Sequence, residues 1–283
     1  MRATLKILLA AAGLAASSLA GAAADLVNIP QLGLRLAPGF RISLYADADL
    51  ANDIYAMTLD AQGRVVVSSQ GYIRILADSN GDGVADTAIP YATTTTGAMG
   101  LCFDGNDLYF TGDGHLWRFR DADGNGVPDG PADDLIPLNF GEHGGHAPRK
   151  GPDGWWYVIG GNDSRFGNPH TALATSPIKS IEGGALLRLT PDGRQCETIA
   201  HGLRNPYDFD FNWLGDAFTC DSDVESDFFL PWYSPTRIYH IGHGTHHGWR
   251  LDGWQRSWAR PDYYADTTDI LWRIGRGSPT GVA

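Results

Sequence analysis

Residues 57–76, MTLDAQGRVVVSSQGYIRIL, align with residues 100–119, GLCFDGNDLYFTGDGHLWRF, at an offset of 43. Each copy reads as strand, glycine-containing turn, strand, short loop and strand, with apolar residues at alternate positions. Longer copies follow. HAPRKGPDGWWYVIGGND (residues 146–163) continues after an insertion into GGALLRLT, and PYDFDFNWLGDAFTCDSD (residues 206–223) continues into RIYHIG. A sheet this small cannot bury both of its faces alone, so the copies must stack on one another. The pattern predicts an all-β chain, a β-propeller of four-stranded antiparallel blades around a channel. FRISLYA (residues 40–46) is expected to supply an outer strand that closes the ring, and GSPTGVA (residues 277–283) to open a further blade. Four blades and a fragment are legible, so the chain is expected to stop short of a closed ring, with a blade edge left open.

Residues 1–24 carry Arg2 and Lys6, an apolar run over 7–16 and small residues ending at Ala24. That is the layout of a cleavable secretory signal, and residues 25–283 are then the propeller domain. The apolar core is too short for a span, which needs roughly 20 residues, so no integral membrane segment is expected after cleavage. Cleavage leaves 19 basic against 33 acidic residues, a net charge of −14, which argues against nucleic acid as a partner. The chain is expected to be secreted or periplasmic. Cys102, Cys196 and Cys220 are too few and too scattered for a disulfide framework and read as small buried hydrophobes rather than a bridge. No Cys-x-x-Cys-His occurs, so this chain attaches no c-type haem.

Two acidic loops share the pattern D-x-[ND]-x-[DN]-G-x-x-D and are again 43 residues apart. The first holds Asp78, Asn80, Asp82, Val84 and Asp86, and the second Asp121, Asp123, Asn125, Val127 and Asp129. Side-chain oxygens at positions 1, 3, 5 and 9 with a carbonyl at 7 can wrap a calcium ion, and the glycine at 6 permits the sharp turn. The glutamate of a helix-loop-helix calcium site is replaced by Ile89 and Ala132. The alternative is a solvated hairpin whose Gly, Asp and Asn serve backbone angles. Either way the loops join the outer strands of a blade, a structural position.

Residues 201–250 concentrate polar groups more densely than a structural meander needs: an Arg-Asn-Pro turn, the acids Asp221, Asp223, Glu225 and Asp227, and four histidines. Further upstream, His143 and His146 lie on a glycine-rich approach to a strand, where an imidazole can take a proton from a substrate hydroxyl near neutral pH or simply bond a neighbouring loop. Arg204 occupies the matching approach to the next blade. Its guanidinium can present a fork of donors to a carboxylate or developing oxyanion, or pair with Asp221 or Asp223. His240, His243, His246 and His247 sit on a strand followed by a turn, so their spacing does not align the rings as on a helix, and a transition metal is disfavoured.

The runs at residues 143–153, 201–206, 221–227 and 244–249 resemble the six-bladed propellers of the glucose/sorbosone dehydrogenase superfamily, which includes soluble quinoprotein sugar dehydrogenases that use pyrroloquinoline quinone (PQQ). EHGGHAPRKGPDG, DSDVESD, LPWYSPTRIYHI and GSPTG resemble still more closely a secreted subgroup of planctomycete-type bacteria, often labelled membrane-bound dehydrogenases, with cytochrome c or helical-repeat domains downstream. The resemblance covers residues 40–282. It implies His143 as general base with His146 as the alternative, and Arg204 touching cofactor and reacting oxygen. Asn205, Asp221, Asp223 and Trp249 are then cofactor contacts. DSDVESD departs from the usual segment at its position, and part of the family's calcium and quinone ligand set lies in later blades.

Three functions follow as expectations. One is an exported PQQ-dependent dehydrogenase that oxidises a sugar or polyol and passes electrons to a cytochrome. Another is a non-catalytic propeller that holds carbohydrate or a protein with Trp155, Trp156, Trp232 and Tyr233. The third is a calcium-dependent lactonase-type hydrolase with Asp221, Asp223 and Asn205 around an axial ion.

Overall fold

The computed structural model describes residues 26–231, 233–249 and 267–283. The export signal expected at residues 1–24 and Trp232 lie outside the described residues. Residues up to Leu44 and residues from Tyr45 onward form two compact units. In the first, β1 (Val27–Ile29) pairs antiparallel with β2 (Leu34–Leu36) across a 3-10 turn over Pro30–Leu32.

The second unit is a β-propeller of four antiparallel blades. The first blade is β3 (Ala56–Leu59), β4 (Val65–Ser69), β5 (Tyr72–Ala77) and β6 (Thr87–Ala92). The second is β7 (Ala98–Asp104), β8 (Asp107–Gly112), β9 (His115–Phe119) and β10 (Asp133–Pro137). The third is β11 (Gly145–Lys150), β12 (Trp156–Gly160), β13 (Gly184–Leu189) and β14 (Cys196–Leu203). The fourth starts with β15 (Pro206–Phe211), β16 (Ala217–Asp221) and β17 (Thr236–Ile241). The chain then crosses back: β18 (Thr245–His246) adds to β14 in parallel before β19 (Trp272–Gly275) completes the fourth blade. No sequence signal marks β18, whose two residues are too few to show a period. The innermost strands β3, β7, β11 and β15 lie side by side in that order.

The period-2 pattern accounts for the stacking, because alternate residues of one strand feed cores on opposite faces of its blade. Val66 packs with Ile73, Ile75, Leu108 and Phe110 between the first two blades, whereas Val67 faces Ala51, Leu76 and Ala85 on the outer side. Trp156 and Val158 point to the second blade and Ile159 to the fourth; Leu187 and Leu186 divide in the same way. Trp156 has no exposed surface and stacks on Tyr109 at 3.7 Å between ring centroids. It is therefore an inter-blade wedge and cannot hold a ligand, which corrects the expectation that it forms part of a binding face. Charged pairs cross the same seams: Lys150 meets Asp104 between the second and third blades, and Arg149 meets Asp208 at 2.7 Å between the third and fourth.

Two expectations at the ring's ends change. Residues 40–46 form no strand, and Phe40, Ile42 and Leu44 are exposed. Residues 277–283 also form no strand, although Thr280 reaches the cavity between the innermost strands. The three cysteines are free, with Cys196 buried. Among the described residues no helix is long and apolar enough to cross a membrane.

Candidate functional site

Because the strands of each blade alternate in direction, the segments entering the innermost strands share one rim with the loops between second and third strands. His143 precedes β11 and Arg204 precedes β15 on that rim, and the residues after β12 and β16 join them. Two carboxylates show how the rim is built. At the end of β8, Asp113 accepts the Thr95 and Thr96 amides, both within 3.0 Å; at the end of β16, Asp221 accepts the Arg204 and Asn205 amides at 2.9 and 2.7 Å. Each carboxylate satisfies backbone donors that the turn into an innermost strand would otherwise leave unpaired.

Asn162, just beyond β12, ties His143 to Arg204. Its amide N–H donates to the Arg204 carbonyl at 2.8 Å, and its Oδ1 lies 2.7 Å from His143 Nδ1. Asn162 Nδ2 donates to Asp163 Oδ1 at 3.0 Å, which fixes the amide so that Oδ1 faces the imidazole. His143 Nδ1 therefore carries the hydrogen, and Nε2 is the basic nitrogen. Gly161 makes the approach possible: a Cβ there would fall 2.7 Å from the His143 carbonyl oxygen and 2.9 Å from that of Arg204. Asn162 is not among the residues expected from sequence; the Gly-Gly-Asn-Asp run after a strand was the available signal.

Arg204 is mostly buried, and it pairs with neither Asp221 nor Asp223. Its guanidinium donates to Ser222 Oγ at 2.8 Å and to Glu225 Oε2 at 2.9 Å, and it lies over the Trp249 ring at 5.6 Å. Among the described residues, Arg204 Nε and Trp249 Nε1 are both buried donors without a partner. Asp221 is fully buried and also faces Arg237 at 3.7 Å, while Asp223 accepts the Tyr233 hydroxyl at 2.5 Å. These acids are engaged one by one. Among the described residues the His, Cys, Asp and Glu side chains that gather in threes are Asp121, Asp123 and Asp129.

His146 has no exposed surface. Its Nε2 lies 3.0 Å from the Glu142 carbonyl and 3.2 Å from Asn205 Oδ1, its ring packs at a tilt against Tyr207 with centroids 4.2 Å apart, and burial holds its pKa down at about 4. No substrate reaches it. The structure therefore removes His146 as an alternative base and makes it a neutral support for Asn205. Of the later histidines, His240 faces Asp216 at 3.6 Å, His246 faces Glu182 at 3.2 Å, and His247 is buried against Tyr239 with its pKa held down at about 3 by burial. Among the described residues they do not form one metal-binding group.

Tyr207 and Asp208 also line a cavity of about 650 Å³ between the innermost strands, together with Met57, Met99 and Arg149. The two acidic loops lie on the opposite rim, joining β5 to β6 and β9 to β10. In the second, oxygen atoms of Asp121, Asp123 and Asp129 come within 4.8 Å of one another. In the first, Asp86 is taken by the Ser79 hydroxyl and amide at 2.6 and 2.8 Å, which lowers its pKa, and Asp78 accepts the Gly81 and Gly83 amides. Trp155 lies in the turn at the far end of β11, under the guanidinium of Arg188 at 4.1 Å.

Solved structures with this fold include a Thermus thermophilus protein described as a candidate oxidoreductase (glucose dehydrogenase), at TM-score 0.54 and 22% identity over 80% of this chain and 71% of that one. A protein described as a glucose dehydrogenase matches at 0.52 and 13%, over 80% and 72%. The holo PQQ domain of pyranose dehydrogenase from Coprinopsis cinerea matches at 0.50 and 13%, over 69% of this chain; the chain spans 53% of its length. At these identities the likeness establishes the fold. No protein of curated function matches. Residues 32–233 match the family model described as a domain of unknown function, DUF7133, and the chain belongs to that family.

Proposed function

We propose that this protein is an exported quinoprotein dehydrogenase that oxidises a C–OH group of a sugar or polyol. The observation that carries the reading is the Asn162 link, which sets a basic imidazole and a guanidinium on one rim. His143 Nε2 takes the hydroxyl proton of the substrate, and Asn162 keeps the hydrogen on Nδ1 so that Nε2 stays available. Arg204 steadies the negative charge that develops on the reacting oxygen. Arg204, whose guanidinium lies over the Trp249 ring, is the group offered to an anionic, planar ligand, with Asn205 next in the chain. PQQ, when bound, supplies the two-electron acceptor. Asp221 and Asp223 act through the backbone and Tyr233 rather than as cofactor contacts. A cytochrome c domain or protein is the proposed electron acceptor, and the secretory or periplasmic space the proposed location. In the test, purified full-length protein with added calcium and PQQ reduces an artificial dye across a sugar panel; no reduction with any sugar sinks the reading.

The Arg204–Glu225 pair favours a second reading, a carbohydrate-binding propeller without catalysis, because Glu225 already occupies the fork. That protein binds sugar and leaves the dye oxidised.

Calcium belongs in this reading as a structural ion on the opposite rim. The second loop fits it by the convergence of its oxygens, whereas in the first the Ser79 hydroxyl takes up Asp86 in addition to the backbone amide that both loops supply. Calcium is expected to raise the melting temperature by a few degrees, as for an ion that binds only the folded state. Asp123→Ala removes most of that gain and Asp82→Ala little. Equal losses in differential scanning calorimetry contradict the distinction.

A further inference from the structure

The loop from β16 to β17 contains a turn whose residue type contradicts its geometry. Asp227 accepts the Leu230 amide at 2.9 Å, Phe228 has φ −56° and ψ 135°, and Phe229 has φ +72°. These are the angles of a type II turn, which calls for glycine at its third residue. A phenylalanine there is strained, and a bulky residue at positive φ is a true outlier. Burial does not offset the strain, because Phe229 is 90% exposed.

The loop is not loose. Its backbone closes every few residues, Val224 to Ser234, Asp227 to Val224 and Tyr233 to Leu230. Phe228 forms the half-buried base under Phe229, with ring centroids 4.0 Å apart; Tyr233 meets Phe228 edge-on and the Arg276 guanidinium lies over it at 4.6 Å. Glu225 of the same loop holds Arg204, and Asp223 holds Tyr233. The result is an outward-facing ring on the rim that carries His143 and Arg204. Strain kept at an exposed position points to use rather than stability.

We propose that Phe229 is a sugar platform: its ring packs against the C–H face of a pyranose. A saccharide fits because it presents an apolar C–H face that an exposed aromatic ring can meet. The choice of ligand rests on the sugar-oxidising reading above. Phe229 acts as a specificity-determining residue in binding and takes no part in proton transfer.

The test is saturation-transfer NMR and thermal melting of full-length wild type, Phe229→Gly, Phe229→Tyr and Asp123→Ala, with D-glucose, D-xylose and cellobiose as probes. Wild type, Phe229→Tyr and Asp123→Ala, altered only on the opposite rim, are expected to bind at least one probe alike. Phe229→Gly is expected to bind it at least ten times more weakly with a melting temperature equal or higher, since glycine relieves the turn. Unchanged binding by Phe229→Gly, a lowered melting temperature, or no sugar bound by wild type overturns the proposal. Sugar bound through Phe229 without dye reduction by wild type upholds the platform and removes the dehydrogenase.

Discussion

Asp221→Ala is expected to destabilise the protein by about 3–5 kcal/mol, the cost of breaking a buried charged network by removing one partner. Asp221 has no exposed surface, and its two oxygens satisfy the backbone amides of Arg204 and Asn205. Removing the carboxylate leaves both donors unpaired inside the protein and takes away the anion facing Arg237, which is itself buried. Asp113 performs the same capping task for Thr95 and Thr96, yet it is partly exposed, so water replaces it and Asp113→Ala is expected to cost about 1 kcal/mol. Urea midpoints of the two variants compare them side by side. Equal and small shifts contradict the role given to Asp221.

His143→Ala is expected to lower the dye-reduction rate with sugar by about 10²–10⁴-fold, the usual contribution of a positioned general base. Sugar binding is expected to stay at the wild-type level, because the imidazole acts on the proton in flight. Asn162→Leu separates positioning from catalysis: it frees the imidazole tautomer and lowers the rate, while Asn162→Asp keeps an acceptor at Nδ1 and restores most of it. A rate in His143→Ala within twofold of wild type contradicts the assignment.

The blades were legible because each strand feeds two cores, so Val66, Val67 and their counterparts alternate in a pattern no helix supports. His143 and Arg204 were legible as site residues because both stand on glycine- or proline-bearing turns before an innermost strand. What decides their chemistry was hidden, since it comes from partners distant in sequence. Asn162 meets His143 across 19 residues, and Glu225 meets Arg204 across 21. Burial was hidden for the same reason: His146 and His143 differ by three positions, yet one is sealed beneath Tyr207 and the other stays accessible. The segment at 40–46 misled because alternation shows that a strand can form and not that an edge awaits it. Phe229 was unreadable without its backbone angles, since nothing in DSDVESDFFLPWY marks a glycine's place taken by an aromatic ring.

If the rim where the His143 and Arg204 turns meet through Asn162 is the ligand site, PQQ must bind there and nowhere near the acidic loops. Titrating PQQ into calcium-loaded full-length protein, followed by tryptophan fluorescence, separates the two rims in one experiment. Wild type and Asp123→Ala, altered only on the opposite rim, should bind alike, while Arg204→Leu should bind at least ten times more weakly. Equal affinity in all three proteins, or a loss confined to Asp123→Ala, would place the ligand elsewhere and refute this site.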